Sequence, residues 1–331
     1  MEDIHYKAFV VEEQNQEFVN FIHTLSTCNL PDGDVLIRVH YSSLNYKDVL
    51  SVTGNKGVTK NYPHTPGIDA AGIVEYSDND QFNVGDKVIV TGFDLGMNTA
   101  GGFGQYIRVP AEWVVKLPDG LSLKESMIIG TAGFTAAISV LRLSELVKPE
   151  DGKIIVSGAT GGVGSISLIL LTKLGYQTVA ITGKDSEHDF LINAGCKEII
   201  SRVEFQSQDK RPLLSARYAG AIDTVGGTVL ENILKTLKPL GAVTTCGSVS
   251  STLLNTTVFP FILRGNTLIG ISAQNYPAGL RSGLWNKLAN EWKPENLNEL
   301  CTEIKLDELK NKIDLMINGK LTGRTIVNMN D

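Results

Sequence analysis

Cysteine is scarce and scattered. Cys28, Cys196, Cys246 and Cys301 show none of the C-x2-C or C-x4-C spacing of a zinc site, and four isolated thiols suit a reducing cytoplasm. Positive charge is also short: 30 Lys and Arg against 36 Asp and Glu leave a net charge of −6. That balance excludes a sequence-blind nucleic-acid binder, while leaving room for a local basic pocket around one phosphate. No apolar run of about 18 residues is evident, so no transmembrane helix and no membrane partner are expected. The N-terminal MEDIHYKAFV carries acids where a secretory signal would carry a basic segment. Internal repeats and low-complexity tracts are missing. A cytoplasmic protein is therefore expected, and 331 residues suggest two domains.

What is present divides into two textures. The first 120 or so residues read as short strands broken by Gly, Asp and Pro, with VLIRVHYSSLN (35–45) alternating at period two, followed by GIDAAGIVEYS, DKVIVTGF and GGFGQYIRVP. This pattern predicts a partly closed all-β unit. The change comes at Ser122, where Ser122 and Glu125 form an S-x-x-E capping box ahead of the apolar helical stretch MIIGTAGFTAAISVLRL. From Lys153 on, strand and helix alternate through KIIVSG, ISLILLTKLG, YQTVAIT, SEHDFLINAG, KEIIS, YAGAIDTVG, VLENILKTLKPLG and AVTTCG. Short loops between alternating elements predict a parallel, doubly wound α/β sheet, with NTLIGISA (266–273) as its last strand. The tail returns to the first unit through RSGLWNKLANEW, LDELKNKIDLMINGK and a short strand, RTIVNM. The expected division is 1–125 plus 291–331 for the β-rich unit and 126–290 for the α/β unit.

A glycine-rich run, VSGATGGVG, sits between KIIVSG and the helix that follows. Ala159-x-Gly161-x-x-Gly164 fits the dinucleotide fingerprint with alanine in the first small position. Gly161 allows the backbone to approach a pyrophosphate and Gly164 allows close helix–sheet packing, while Thr160, Gly162 and Val163 complete the loop. The helix N-terminus supplies N–H donors and partial positive charge. About 20 residues on, an NAD-selective chain carries Asp or Glu. Here the strand ends with Thr182, Gly183 and Lys184, a hydroxyl and an ammonium suited to the 2′-phosphate of NADPH, with Arg202 as a second cation. Asp185 follows and is placed to cap the SEHDFL helix.

At this point the chain resembles the medium-chain dehydrogenase/reductase superfamily, its quinone-oxidoreductase-like branch, and within that the YhdH/AcuI type of NADPH-dependent acrylyl-CoA reductase. The resemblance is carried by SSLNYKDVL (42–50), PGIDAAGIV, MIIGTAGFTAA, GATGGVGS, ITGKDSEHDFL, AIDTVG, PFILRG and GRTIV, in order along nearly the whole chain. It implies a GroES-like substrate domain with a Rossmann domain inserted in it, an active site in the cleft between them, and a homodimer, with NTLIGISA as the candidate edge. It also implies that Tyr46 faces the nicotinamide, and it adds Thr131, Gly247 and Asn318 to the cofactor-binding set.

Alcohol dehydrogenases of that superfamily hold a catalytic zinc on a C-x-x-D Cys, a G-H-E His and a later Cys or Asp. The matching positions here are Asn45 in Asn45-Tyr46-Lys47-Asp48 and Ile68 in Gly67-Ile68-Asp69, and no metal is expected. Hydride addition to an activated C=C bond needs less polarisation than ketone reduction. Tyr46 is the expected donor to the oxygen that gains charge, or a wall of the pocket, with Asn45 and Asp48 supporting it. Asp69 is expected to pair with a nearby cation such as Lys47. The favoured substrate is a small 2-enoyl-CoA such as acrylyl-CoA. Quinone reduction on the same fold and a non-catalytic NADPH-binding role are the alternatives.

Overall fold

The computed structural model describes residues 3–206, 209–295 and 297–330. The chain divides into two compact units, Met1–Thr131 with Gln274–Asp331, and Ala132–Ala273. The sequence boundaries at 125/126 and 290/291 thus fall six residues early and seventeen late. The late error has a physical cause: residues 274–290 carry Arg281, whose guanidinium donates to the Thr91 carbonyl at 2.8 Å and to the Gln274 carbonyl at 2.9 Å, tying this stretch to the first unit.

The first unit opens with a hairpin of β1 (His5–Gln14) and β2 (Glu17–Ser26), then β3 (Val35–Ser43), helix α1 (Tyr46–Val52), β4 (Asp69–Ser77), β5 (Lys87–Thr91), β6 (Tyr106–Val109) and β7 (Val114–Lys116). β3 is covered on both faces. Val35, Ile37 and Val39 pack with Val74, Val88, Val90 and Ile107, while Leu36 packs under Tyr6, Ala8 and Val10 of the hairpin. Each such buried aliphatic contributes about 1.5–3 kcal/mol.

Helix α2 (Leu123–Ser144) leads out of this unit. Its capping box forms as the sequence predicts: the Ser122 N–H donates to the Glu125 carboxylate at 2.8 Å and the Glu125 N–H to Ser122 Oγ at 3.1 Å. Two features depart from the sequence reading. The helix is broken at Gly130 (φ 49°, ψ −160°), and its 22 residues are apolar enough to pass as a membrane span, although most of that stretch is buried inside the protein as a core helix.

The second unit continues with β8 (Ile154–Val156), α3 (Gly162–Lys173), β9 (Thr178–Thr182), α4 (His188–Asn193), β10 (Glu198–Ser201), α5 (Arg202–Phe205), β11 (Tyr218–Asp223), α6 (Gly227–Thr236), β12 (Leu237–Thr245), α7 (Phe259–Arg264) and β13 (Thr267–Gly270). All pairings in its sheet are parallel, in the order β10-β9-β8-β11-β12-β13. β8 and β11 are buried along their whole lengths, as helices on both faces of a parallel sheet require. Chain direction along the sheet reverses between β8 and β11, the switch point where open α/β sheets bind ligands.

The chain then returns to the first unit through α8 (Ala278–Ala289), β14 (Cys301–Lys305), α9 (Leu309–Ile317) and β15 (Arg324–Asn328). β14 and β15 complete the sheet β14-β15-β3-β4-β5-β7, with β6 also paired to β3.

Candidate functional site

In the second unit, the predicted cofactor residues gather at the carboxyl ends of the strands. The turn after β8 is tied to the end of β11: Ser157 Oγ donates to Asp223 Oδ1 at 2.7 Å, and Thr224 Oγ1 donates to the Ser157 carbonyl at 3.0 Å. Gly247, after β12, packs directly on Thr224, whose carbonyl would lie 2.2 Å from a Cβ there. Ala159 and Thr160 are buried under the loop. Gly161 is the N-cap of α3, with Gly162 and Val163 in its first turn, where N–H groups lack intrahelical acceptors.

The two fingerprint glycines have different surroundings. A Cβ on Gly164 would stand 2.3 Å from the Gly158 carbonyl oxygen and 2.8 Å from Ala159 Cα, so this glycine serves helix–sheet packing. A Cβ on Gly161 would meet only the Gly158 oxygen, at 3.3 Å. The protein's own packing scarcely needs a glycine there, whereas a phosphate approaching the helix N-terminus does. The cradle fits a dinucleotide.

At the end of β9, Thr182 is buried, and its Oγ1 accepts the Lys184 N–H at 3.1 Å, which shapes the turn. Arg202, first residue of α5, lays its guanidinium over Gly183, within 2.8–3.1 Å of where a Cβ would be. Lys184 is half-buried, and burial pulls its ammonium below the usual lysine range, opposed by Glu187. Two cations therefore border one turn at the ends of adjacent strands. Asp185 does not cap the next helix: it lies in the short turn Asp185–Glu187, and Glu187 is the N-cap of α4.

The remaining predicted residues belong to the first unit. Tyr46 is the first residue of α1 and is 42% exposed. Asn45, the N-cap, has its N–H held by Asp48 Oδ2 at 2.7 Å, and Asp48 Oδ1 accepts the Ile68 N–H at 2.9 Å. Asp48 is fully buried, and burial pushes its carboxyl up to about 7 against those two donors. Lys47 donates to Gln274 Oε1 rather than to Asp69, so the expected pairing is replaced. The cation beside Asp69 is Arg324, at 3.8 Å. Asn318 is the exposed C-cap of α9, its Nδ2 on the Asp314 carbonyl at 2.7 Å, and α9 packs on α1. Thr131 gives both its N–H and its hydroxyl to Asp69. Arg324 was not singled out from the sequence; its signal was confined to the run GRTIV, and nothing in the spacing links positions 69 and 324. A groove of about 530 Å³ beside β7 and α8, lined by Lys116, Ser282 and Asn286, contains none of these residues.

At the position matched to the alcohol dehydrogenase zinc, the side chains hold one another. Asn45 Nδ2 donates to Asp69 Oδ2 at 2.8 Å, Ile68 offers no donor atom, and a buried guanidinium stands next to the carboxylate. Among the described residues no group of three or more His, Cys, Asp and Glu side chains is gathered as a metal site would need.

Comparison with known proteins places this geometry. The family model described as "Alcohol dehydrogenase GroES-like domain" matches residues 31–119, and "Zinc-binding dehydrogenase" matches residues 162–290. The chain is 42% identical to the probable acrylyl-CoA reductase AcuI of Escherichia coli, over 98% of this chain and 100% of the relative. It is 39% identical to the putative quinone oxidoreductase YhfP of Bacillus subtilis, over 98% and 99%. The crystal structure of the YhdH oxidoreductase from Salmonella enterica in complex with NADP superposes with a TM-score of 0.95 at 41% identity, covering 98% of this chain and 100% of that one. B. subtilis YhfP with NAD bound gives the same TM-score at 38% identity, over 98% and 99%. With both domain models matched in order and identity of this level from end to end, the chain belongs to the medium-chain dehydrogenase/reductase superfamily of oxidoreductases, in the group that includes AcuI, YhdH and YhfP.

Proposed function

We propose that this chain is a zinc-independent, NADPH-dependent reductase of activated C=C bonds, acting on a small 2-enoyl-CoA such as acrylyl-CoA. The observation that carries the reading is the Asn45–Asp69 pair, backed by Arg324, where alcohol dehydrogenases hold a metal, in a chain 42% identical end to end to a probable acrylyl-CoA reductase. NADPH, when bound, supplies the hydride for the β-carbon. The loop at Gly161 and the α3 N-terminus hold the pyrophosphate, and Lys184 with Arg202 hold the 2′-phosphate as charge-assisted donors. Electron density arriving at the β-carbon moves to the thioester oxygen. Tyr46, a partly exposed residue at the start of α1, donates its hydroxyl to that oxygen, and water supplies a proton to the α-carbon.

Quinone reduction is the second reading, supported by the similarity to YhfP. Following NADPH oxidation with acrylyl-CoA, crotonyl-CoA and a benzoquinone in parallel separates the two. Turnover of the enoyl-CoAs is expected, and activity confined to the quinone would overturn the first reading.

The assembly proposed is a homodimer through β13. This strand forms one edge of its sheet, and next to it Leu240, Val258, Ile262 and Leu263 are each 60% or more exposed. Leu240 also holds a left-handed backbone (φ 63°), a conformation of cost about 1–3 kcal/mol that persists where the surroundings require it. A second copy pairing its own β13 antiparallel would cover both the open edge and the apolar residues.

A further inference from the structure

The break in α2 is organised by a single ion pair that also holds the helix bearing Tyr46. Before the break, the Ile128 carbonyl accepts Arg324 Nε at 2.9 Å. After it, the Thr131 N–H donates to both Asp69 oxygens, at 2.9 and 3.0 Å, and its hydroxyl donates to Oδ1 at 2.5 Å. A cation thus faces the carbonyl end of one helical segment and an anion faces the amide end of the next, the favourable polarity at both. Gly130 is confined by the pair: a Cβ there would lie 2.5 Å from Asp69 Oδ2 and 2.8 Å from Arg324 Nη2.

The same two side chains close on the N-cap of α1. Asn45 Nδ2 donates to Asp69 Oδ2 at 2.8 Å and to the Ser43 carbonyl at 3.1 Å, while Asn45 Oδ1 accepts Arg324 Nη1 at 3.2 Å. Ser43 Oγ donates to Asp69 at 2.6 Å and accepts Arg324 Nη2 at 2.8 Å. Asp69 and Arg324 are 0% and 3% exposed, so water does not compete for these bonds. The Asn45 amide is held on both sides, and Tyr46 is the next residue.

We propose that Asp69 and Arg324 are positioning residues for Tyr46, setting the direction of its hydroxyl through Asn45. The proposal rests on the reading of Tyr46 given above, and the experiment separates the two. Asp69→Asn keeps the shape and removes the charge, leaving Arg324 buried without its ion-pair partner. Asp69→Asn/Arg324→Gln removes both charges and guards against loss of folding. Each is made with Tyr46 intact and with Tyr46→Phe, and kcat, KM, NADPH affinity and melting temperature are measured.

With Tyr46 intact, kcat is expected to fall about 100-fold, the scale of an ångström-sized misplacement, in both the single and the double variant. NADPH affinity is expected to fall by no more than tenfold, far less than kcat, since the Gly161 loop, Lys184 and Arg202 belong to the other unit. The double variant regains melting temperature relative to Asp69→Asn but not kcat. In the Tyr46→Phe background, removal of Asp69 changes kcat by less than threefold, because the group being positioned is gone. A double variant with wild-type kcat, or an equal loss in both backgrounds, overturns the proposal while leaving the Tyr46 reading intact. Unchanged kcat in Tyr46→Phe alone overturns both.

Discussion

Replacing Gly161 by alanine separates what the nucleotide loop does for the protein from what it does for a ligand. The backbone there, φ −83° and ψ 172°, suits any L-residue, and the new methyl would meet only the Gly158 oxygen at 3.3 Å. Stability changes nearly cancel: reduced freedom of the unfolded chain favours alanine by about 0.4–1 kcal/mol, and its poorer N-cap character opposes this by a similar amount. The melting temperature should stay within about 2 °C of wild type. For a phosphate the methyl stands in the way of the first-turn donors of α3. Losing two hydrogen bonds to a charged group, at about 1.5–3 kcal/mol each, should weaken NADPH binding at least about 100-fold. Gly164→Ala is the control of opposite kind, because its Cβ would overlap backbone atoms at 2.3 and 2.8 Å. Overpacking of about 1–3 kcal/mol should lower its melting temperature by several degrees without any cofactor. NADPH fluorescence titrations and melts with and without cofactor give both quantities; at 100 times Kd the wild type gains about 2.7 kcal/mol. Binding by Gly161→Ala within threefold of wild type would refute the assignment of the loop as a phosphate cradle.

Removing the two cations at the end of β9, as Lys184→Ala/Arg202→Ala, should weaken NADPH by about 100-fold and leave NADH within a few-fold, measured as the ratio of kcat/KM values. Equal losses with both cofactors would place neither residue at the 2′-phosphate. Ile262→Lys puts a charge among the exposed apolar residues beside β13, and light scattering after gel filtration should show a shift from dimer to monomer; a wild type that is monomeric at every concentration would remove the edge-strand assembly. Burial raises the Asp48 carboxyl from 3.8 to about 7, so its folded-state preference for the proton stabilises fully below about 4 and is lost as pH rises toward 7. The melting-temperature advantage of wild type over Asp48→Asn should therefore shrink from pH 4 to 7 and then level off, and an advantage that grows over that range would contradict the burial argument.

The legible parts of this molecule were those whose signals lie close together in the chain. Alternation of strand and helix announced the doubly wound sheet, and the Ser122–Glu125 box marked the start of α2 within one turn. The glycines at 161 and 164 could be assigned different duties because the strand before them and the helix after them are adjacent in sequence. Asp185 shows the limit of local reasoning. Its residue type and position suit a cap, yet the chain makes a short 3-10 turn there and begins α4 three residues further on, at His188. The Asp69–Arg324 pair was hidden for a stronger reason. Its partners are 255 positions apart, on strands brought together only when β15 joins β3, so proximity in sequence pointed instead to Lys47. The kink at Gly130 was concealed likewise, because an apolar helical run gives no sign that a carboxylate from β4 is waiting at its middle.

That carboxylate bears on how such enzymes can be recombined. The second compact unit begins at Ala132, yet the helical segment entering it starts on an amide capped by Asp69, which belongs to the first. A cofactor module cut upstream of Gly130 would carry the glycine and threonine of the break away from the acid that holds them. Functional chimeras should therefore tolerate a junction at 131/132, which keeps glycine at 130, threonine at 131 and the acid at 69 together, better than one placed earlier in the same helix.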